Sequence, residues 1–459
     1  MKNLAIYIGM SGLLILSFFS CSNQKINEKA STDTTLVKKI YPEWIKSANI
    51  YEVNIRQYTP EGSFEAFSNH LPRLKEMGVD IIWLMPVHPI GIKNRKGKLG
   101  SYYSVRDYKD VNTEFGNKED FKKLVDKTHE LGMYIIIDWV ANHTAWDNEL
   151  LTSHPEWYNT DSTGKLLSPY DWSDVVSLDY SKSGLRNYMT ETMKFWVENY
   201  NIDGFRCDVA GLVPVSFWDS TRSVLQQIKP VFMLAEAEEL PLVQDAFDAD
   251  YAWTLMHRMN ELAKGKQNTD SIFNHLIQTS EGYPTEAFQM NFTSNHDENS
   301  WNGTEYERYG SAAKAYAVLC YTIPGMPLVY SGQESALKKR LAFFEKDPIV
   351  WGKYILQDFY QTLNFLKRDN EALWNPPYGG SLERINTGDN PMMLGFVREK
   401  NRNRVITLIN FGKNPGSFSV DESFPAHIYK NVFTNSKTEI KSGNNIQLNA
   451  GEFIIYTTH

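Results

Sequence analysis

The sequence predicts an α/β barrel with a short insertion after its third strand, followed by a separate antiparallel β-sandwich domain. Three observations carry that expectation. Strand-like apolar runs alternate with helical ones over most of the chain. Four short polar islands stand where apolar runs stop, as at the C-terminal mouth of a barrel. From Ser381 onward strand patterns dominate, with Gly/Asn turns between them.

Taken in order, Lys2, the apolar run Leu4 to Phe19 and Ser20-Cys21 form a signal-peptide pattern, short for a membrane span. A small residue before a Cys at that place resembles a bacterial lipoprotein signal over residues 1–21. Cleavage before Cys21 would leave it lipidated, on the periplasmic side or cell surface, anchored to the membrane rather than through it. Phe18 and Phe19 depart from the usual residues of that motif, and an ordinary secretory signal or an uncleaved anchor is the alternative. Residues 22–40, rich in Asn, Lys, Ser and Thr, read as a flexible tether. The barrel is expected over 41–375. Its strands and helices begin with Ile50 to Ile55, Phe64 to Met77, Ile81 to Met85, Phe121 to Leu131 and Tyr134 to Trp139. The alternation stops over 142–183, where Trp146, Trp157, Tyr158, Tyr170 and Trp172 sit among Asp, Ser and Pro, an excursion expected to wall a cleft. Helical pattern returns at Leu185 to Tyr200. The β domain is expected over 376–459, with strands at Met392 to Val397, Val405 to Asn410 and Glu452 to Thr457.

At 459 residues the chain is too long for one ordinary domain. A net charge of −8 with no lysine/arginine tract offers no footprint for nucleic acid. The sequence carries no sign of an oligomeric state. Of its three cysteines, Cys207 and Cys320 read as buried free thiols, and no Cys/His spacing points to zinc.

The islands are Asp138-Trp139-Val140-Ala141-Asn142-His143, Gly204-Phe205-Arg206-Cys207-Asp208, Leu234-Ala235-Glu236 and Asn295-His296-Asp297. Three separated carboxylates at one barrel mouth are the raw material of retaining glycoside hydrolysis. The strand period of two puts Arg206 and Asp208 on one face, where the guanidinium favours an anionic Asp208 able to attack an anomeric carbon. Glu236 emerges from an apolar strand, a setting that suits a general acid. Asp297 is a third carboxylate expected nearby. His143 and His296 are expected as neutral imidazoles bonding sugar hydroxyls, against the blander reading of structural histidines. Tyr103 offers an aromatic face for a pyranose ring.

These islands resemble the four signature regions of the alpha-amylase family of glycoside hydrolases. Gly78 to Pro86, Glu114 to Phe121 and Pro324 to Glu334 are similar to further stretches of that family, so the resemblance spans roughly residues 45 to 370. It implies a (β/α)8 TIM barrel and a substrate of α-glucan or maltooligosaccharide type. It implies Asp208 as nucleophile, Glu236 as general acid/base and Asp297 as transition-state stabiliser, with Arg206, His143, His296 and Tyr103 holding the sugar. No organic cofactor is implied. A calcium ion is common in the family, and Asn142 matches one of its ligands, with Asp174 or Asp179 placed to assist.

The chain departs from the family after Asp208, where Gly211-Leu212 replaces a Lys-His pair that binds sugar on the leaving-group side and often supports calcium. Trp301 and the Trp-rich excursion are then expected to hold that sugar by stacking, unless Trp301 is an ordinary core residue. Transglycosylases and isomerases share the signature regions and are the nearest alternative reading. A catalytically silent sugar-binding protein is another, opposed by the intact Asp208, Glu236 and Asp297.

Overall fold

The computed structural model describes residues 38–386, 390–421 and 426–458. The expected signal segment, Cys21 and the tether as far as residue 37 lie outside the described residues. Residues 38–40, the end of that tether, are docked: Lys39 is buried and its ammonium donates to the carbonyls of Val243 (3.0 Å) and Phe247 (2.7 Å). A cation at the C-terminal end of the helix Leu240–Asp245 satisfies the Val243 carbonyl, one of those the helix leaves open.

Eight parallel strands close into a barrel: β1 (Ile50–Val53), β2 (Ile81–Leu84), β3 (Tyr134–Trp139), β4 (Gly204–Cys207), β5 (Phe232–Ala235), β6 (Ala249–Tyr251), β7 (Phe288–Asn291) and β8 (Met326–Tyr330). Closure is made by β1, where Ile50 pairs with Leu328 of β8 on one side and Ile81 of β2 on the other. Both faces of these strands are covered, which is why they read as continuous apolar runs rather than alternating ones. The fold class is therefore the expected one.

Helices fill the outer layer. The helix Lys118–Glu130 starts on a capping box, Asn117 accepting from the Asp120 N–H while Asp120 accepts from the Asn117 N–H. The single helix expected over Phe64 to Met77 is two, Phe64–Ser68 and Leu71–Glu76. Pro72 has no N–H to donate backward, so it fits only the first turn of a new helix. The excursion after β3 holds a small hairpin, His143–Ala145 against Val175–Ser177, with a short helix Leu150–Ser153 between.

The C-terminal domain has strands β9 (Ser381–Ile385), β10 (Met393–Lys400), β11 (Asn403–Asn410), β12 (Gly416–Ser419), β13 (His427–Asn431), β14 (Lys437–Ile440), β15 (Asn445–Leu448) and β16 (Phe453–Thr457). Six form one antiparallel sheet in the order β9-β10-β11-β16-β13-β14, and β12 pairs with β15. One sheet face sends Phe396, Val405, Ile409 and Ile455 into the barrel's core. The other, with Met393, Ile406, Leu408 and Tyr429, is covered by Phe418 and Leu448 of the two-stranded layer.

Gly204 opens β4 with φ +153°, and a Cβ there would lie 1.8 Å from the Phe232 carbonyl oxygen of β5. The glycine of the second island is thus what lets two barrel strands approach. Gly204→Ala is expected to abolish soluble folded protein at 37 °C or lower the melting temperature sharply, read by circular dichroism. An unchanged melting temperature would contradict this account of the β4–β5 contact.

Candidate active site

Strand ends bring the four islands to one mouth. Arg206, fully buried on β4, sits at their centre. Its Nη1 donates to Asp138 Oδ1 (2.8 Å) and Asp208 Oδ1 (3.1 Å), its Nε to the Tyr251 hydroxyl (3.0 Å), and its Nη2 lies 2.9 Å from Glu236 Oε1. The Trp83 ring packs 5.2 Å from the guanidinium carbon. Asp138 also accepts from the Tyr103 hydroxyl (3.0 Å) and the Trp83 indole (3.3 Å), and burial pushes its carboxyl up to about 6 against the pull of Arg206.

Around one guanidinium, then, stand three carboxylates. Burial, and after it the Glu236 charge, raises the Asp208 carboxyl well above the ordinary range, while Arg206 pulls it down. A carboxylate in a dry site beside other carboxylates is costly to ionise, which is the sense of the Asp208 shift. Glu236 is oriented from a second direction: its Oε2 accepts the Val209 N–H at 2.8 Å. To present that N–H, Val209 takes φ +38°, a left-handed conformation costly for a β-branched residue.

A second chain of contacts runs from β1. Glu52, fully buried, accepts from His296 Nδ1 at 2.5 Å, and His296 Nε2 lies 2.9 Å from the Tyr103 hydroxyl and 3.3 Å from Asp297 Oδ2. Burial works against a charged imidazole, but Asp297 and Glu52 together raise His296 well above its ordinary value. Burial likewise opposes an anionic Asp297, yet the His296 cation holds its carboxyl below the usual range. The expectation of a neutral His296 is corrected in direction: Asp297 and Glu52 both favour the charged ring. At His143, burial lowers the value to about 4 and the ring is neutral as expected.

Tyr103, His143, Asp208, Glu236, His296, Asp297 and Trp301 all line one cleft of about 410 Å3. Arg206 lies beneath it. Trp301 is 53% exposed, so it is no core residue. It leans on Phe343 and Phe344 (5.5 and 6.0 Å between ring centroids), residues after β8. Of the excursion's aromatic residues, Trp172 reaches the cleft, whereas Trp157 is buried against His154.

The candidate calcium ligands do not converge. The Asn142 amide turns to His143 Nδ1 (3.2 Å), Asp174 pairs with Lys96 (3.2 Å), and Asp179 is taken by Lys182 (3.3 Å) and the Ser181 N–H (2.9 Å). Among the described residues no group of three or more His, Cys, Asp or Glu side chains is placed to hold a metal ion. Sequence reasoning missed Glu52, Tyr251, Phe343 and the role of Asp138; the signal for Glu52 and Asp138 was a charge inside an apolar strand, which must be paired.

The chain matches the family described as "Alpha amylase, catalytic domain" over residues 30–172 and 151–371. An alpha-amylase of Haloarcula japonica is 26% identical over 396 residues, covering 82% of this chain; the chain spans 57% of that relative's length. A maltogenic alpha-amylase of Bacillus acidopullulyticus is 23% identical over 470 residues, 90% of this chain and 78% of its own. Among solved structures, the maltogenic alpha-amylase AmyB of Thermotoga neapolitana is similar with a TM-score of 0.82 at 31% identity, over 90% of this chain and 99% of that one.

Glu52→Gln keeps the shape of the His296 contact but removes its charge. The His296 midpoint, followed by ring-proton NMR titration, is expected to fall by at least about one pH unit. Because the folded value is raised, the stabilisation it gives is complete below the unfolded value of about 6.5 and lost as pH rises through the folded one. An unmoved midpoint would show that Glu52 does not hold the imidazolium.

Proposed function

Since the chain belongs to the alpha-amylase family of glycoside hydrolases, we propose that it hydrolyses α-1,4 bonds of starch-type glucans and maltooligosaccharides with retention at the anomeric carbon. Asp208 is the nucleophile, Glu236 the general acid/base and Asp297 the stabiliser of the transition state. One observation carries the assignment: a single guanidinium holds Asp208 and Glu236 side by side, while Asp297 faces the same cleft.

The chemistry requires Asp208 as an anion and Glu236 as the acid, and the Arg206 N–H on Asp208 Oδ1 is the contact that favours the anion on the nucleophile. Asp208 attacks C1 of the bound sugar as Glu236 gives its proton to the glycosidic oxygen, so the C1–O bond breaks and a glycosyl ester forms on Asp208. Glu236, now a carboxylate, takes a proton from water, whose oxygen attacks C1 and frees Asp208. Positive charge developing at the ring meets Asp297, kept anionic by His296. Tyr103, His143, His296 and Trp301 supply the sugar contacts. The reaction needs no organic cofactor, and with Asp174 and Asp179 both taken by lysines, no step is routed through calcium.

The lipoprotein pattern at Ser20-Cys21 supports a secreted enzyme held on a bacterial membrane by lipid on Cys21. Cys21→Ser is expected to shift activity from the membrane to the soluble fraction; activity that stays with the membrane would remove the anchor.

Asp208→Asn is expected to lower turnover of maltoheptaose by at least about a thousandfold while sugar binding persists, and activity within tenfold of the parent would sink the nucleophile assignment. Glu236→Gln is expected to lose far more activity on maltoheptaose than on an aryl glucoside whose leaving group departs unprotonated. Equal losses on the two substrates would refute the acid role.

A further inference from the structure

The rim of the cleft is lopsided. Long segments follow β2 (from Leu84 to the helix at Lys118), β3 (from Trp139 to the helix at Ser183) and β8 (from Tyr330 to the helix at Gln357). Short ones follow β4 (Cys207 to Val215), β5 (Ala235 to Leu240) and β6 (Tyr251 to Trp253). The mouth is therefore high over one half of the barrel and low over the other.

The high half is also stitched together. Lys96, after β2, pairs with Asp174, after β3, at 3.2 Å, and the Ile92 N–H binds Asp147 at 3.0 Å. The segment after β2 joins that after β8 where the Leu99 N–H meets the Phe344 carbonyl (3.2 Å) and the Lys98 N–H meets Glu345 (3.1 Å). Arg56, after β1, reaches the Gly100 carbonyl at 3.1 Å, and Lys346 reaches the Glu61 carbonyl at 2.8 Å. Beyond β8 the wall continues, the Leu341 N–H meeting Asn299 at 2.8 Å. From β3 through β2, β1 and β8 to β7 the segments touch in unbroken succession, and Lys96, Asp174, Phe343 and Phe344 turn inward to line the cleft.

The catalytic carboxylates say which part of the substrate meets which half. Glu236, on β5, must reach the glycosidic oxygen, so the leaving sugar lies over the low half. Sugars attached to the other side of the attacked ring, toward the non-reducing end, run against the high half. A cavity of about 410 Å3 lies at the small end of the roughly 300–1,000 Å3 common for ligand pockets.

We propose that the cleft is blind on this side, so that the enzyme takes α-glucan chains by their non-reducing end and releases a short sugar. The inference rests on the α-1,4 hydrolase reading above and names its mode of attack. Lys96 and Asp174 are specificity-determining residues, closing the space between the segments after β2 and β3.

The test uses maltoheptaose carrying a chromophore at its reducing end, either with a free non-reducing end or with that end capped by a 4,6-benzylidene acetal. The capped form is expected to be cleaved at less than a tenth of the free form's rate, and the free form to yield one short sugar first. A capped rate above a tenth overturns the proposal. No cleavage of either form removes the α-1,4 reading, and this inference with it. Lys96→Ala, checked for an unchanged melting temperature, is expected to raise the capped-to-free ratio at least threefold. A smaller rise in the folded variant overturns the assignment of the wall to the Lys96–Asp174 pair.

Discussion

The buried guanidinium of Arg206 is the contact on which the rest of the site depends. A lone carboxylate at the dry end of a barrel would be costly, and three would be prohibitive without a fixed cation among them. Parallel pairing sets Asp138 of β3 opposite Arg206 of β4, and the next residues along β4 and β5 are Asp208 and Glu236. The barrel's register therefore delivers the charges to one point, and the cation makes the register tolerable. Removing one partner from such a buried cluster costs about 3–5 kcal/mol, so stability and chemistry are drawn from the same contact.

That cluster is still short of positive charge. With burial, and with more carboxylates than cations around Arg206, the carboxyl groups of Asp138 and Asp208 are both pushed above the ordinary range. On the opposite side one imidazole faces two carboxyl groups. His296 is placed between Glu52 and Asp297 and stays charged, so Asp297 remains an anion beside the reacting ring. The site thus divides its carboxyl groups by environment: burial raises those of Asp138 and Asp208 around Arg206, and His296 holds that of Asp297 down. In the proposed mode of attack, the segments that rise around this centre govern how a polymer enters, because the chemistry proposed at the ends of β4 and β5 orients the substrate across them.

Much of this was legible in the sequence. Polar residues closing apolar runs marked the strand ends, and a period of two placed Arg206 beside Asp208. The C-terminal sheet showed itself through alternation and turn residues. What could not be read was long-range. Glu52 meets a histidine 244 positions away, so a charge inside an apolar strand marked a group that must be paired but not its partner. The upward shift of His296 comes from Asp297 beside it and then from Glu52, and only the first of these is adjacent in sequence. Val209 gives no sign of its left-handed backbone, since valine ordinarily avoids it. Trp301 stands at the cleft as its place after Asp297 suggested, and its packing on Phe343 joins loops that no local pattern links.

The most direct test of the account is to trap the ester it requires. A 5-fluoro-α-glucosyl fluoride slows departure from the nucleophile more than attack upon it, so the covalent species accumulates. After peptic digestion and mass spectrometry, the added sugar should be found on the peptide holding Asp208, at that residue, and should disappear when free maltose is added as acceptor. A sugar carried by Glu236 or Asp297, or inactivation with no adduct on Asp208, would contradict the assignment on which the rest is built.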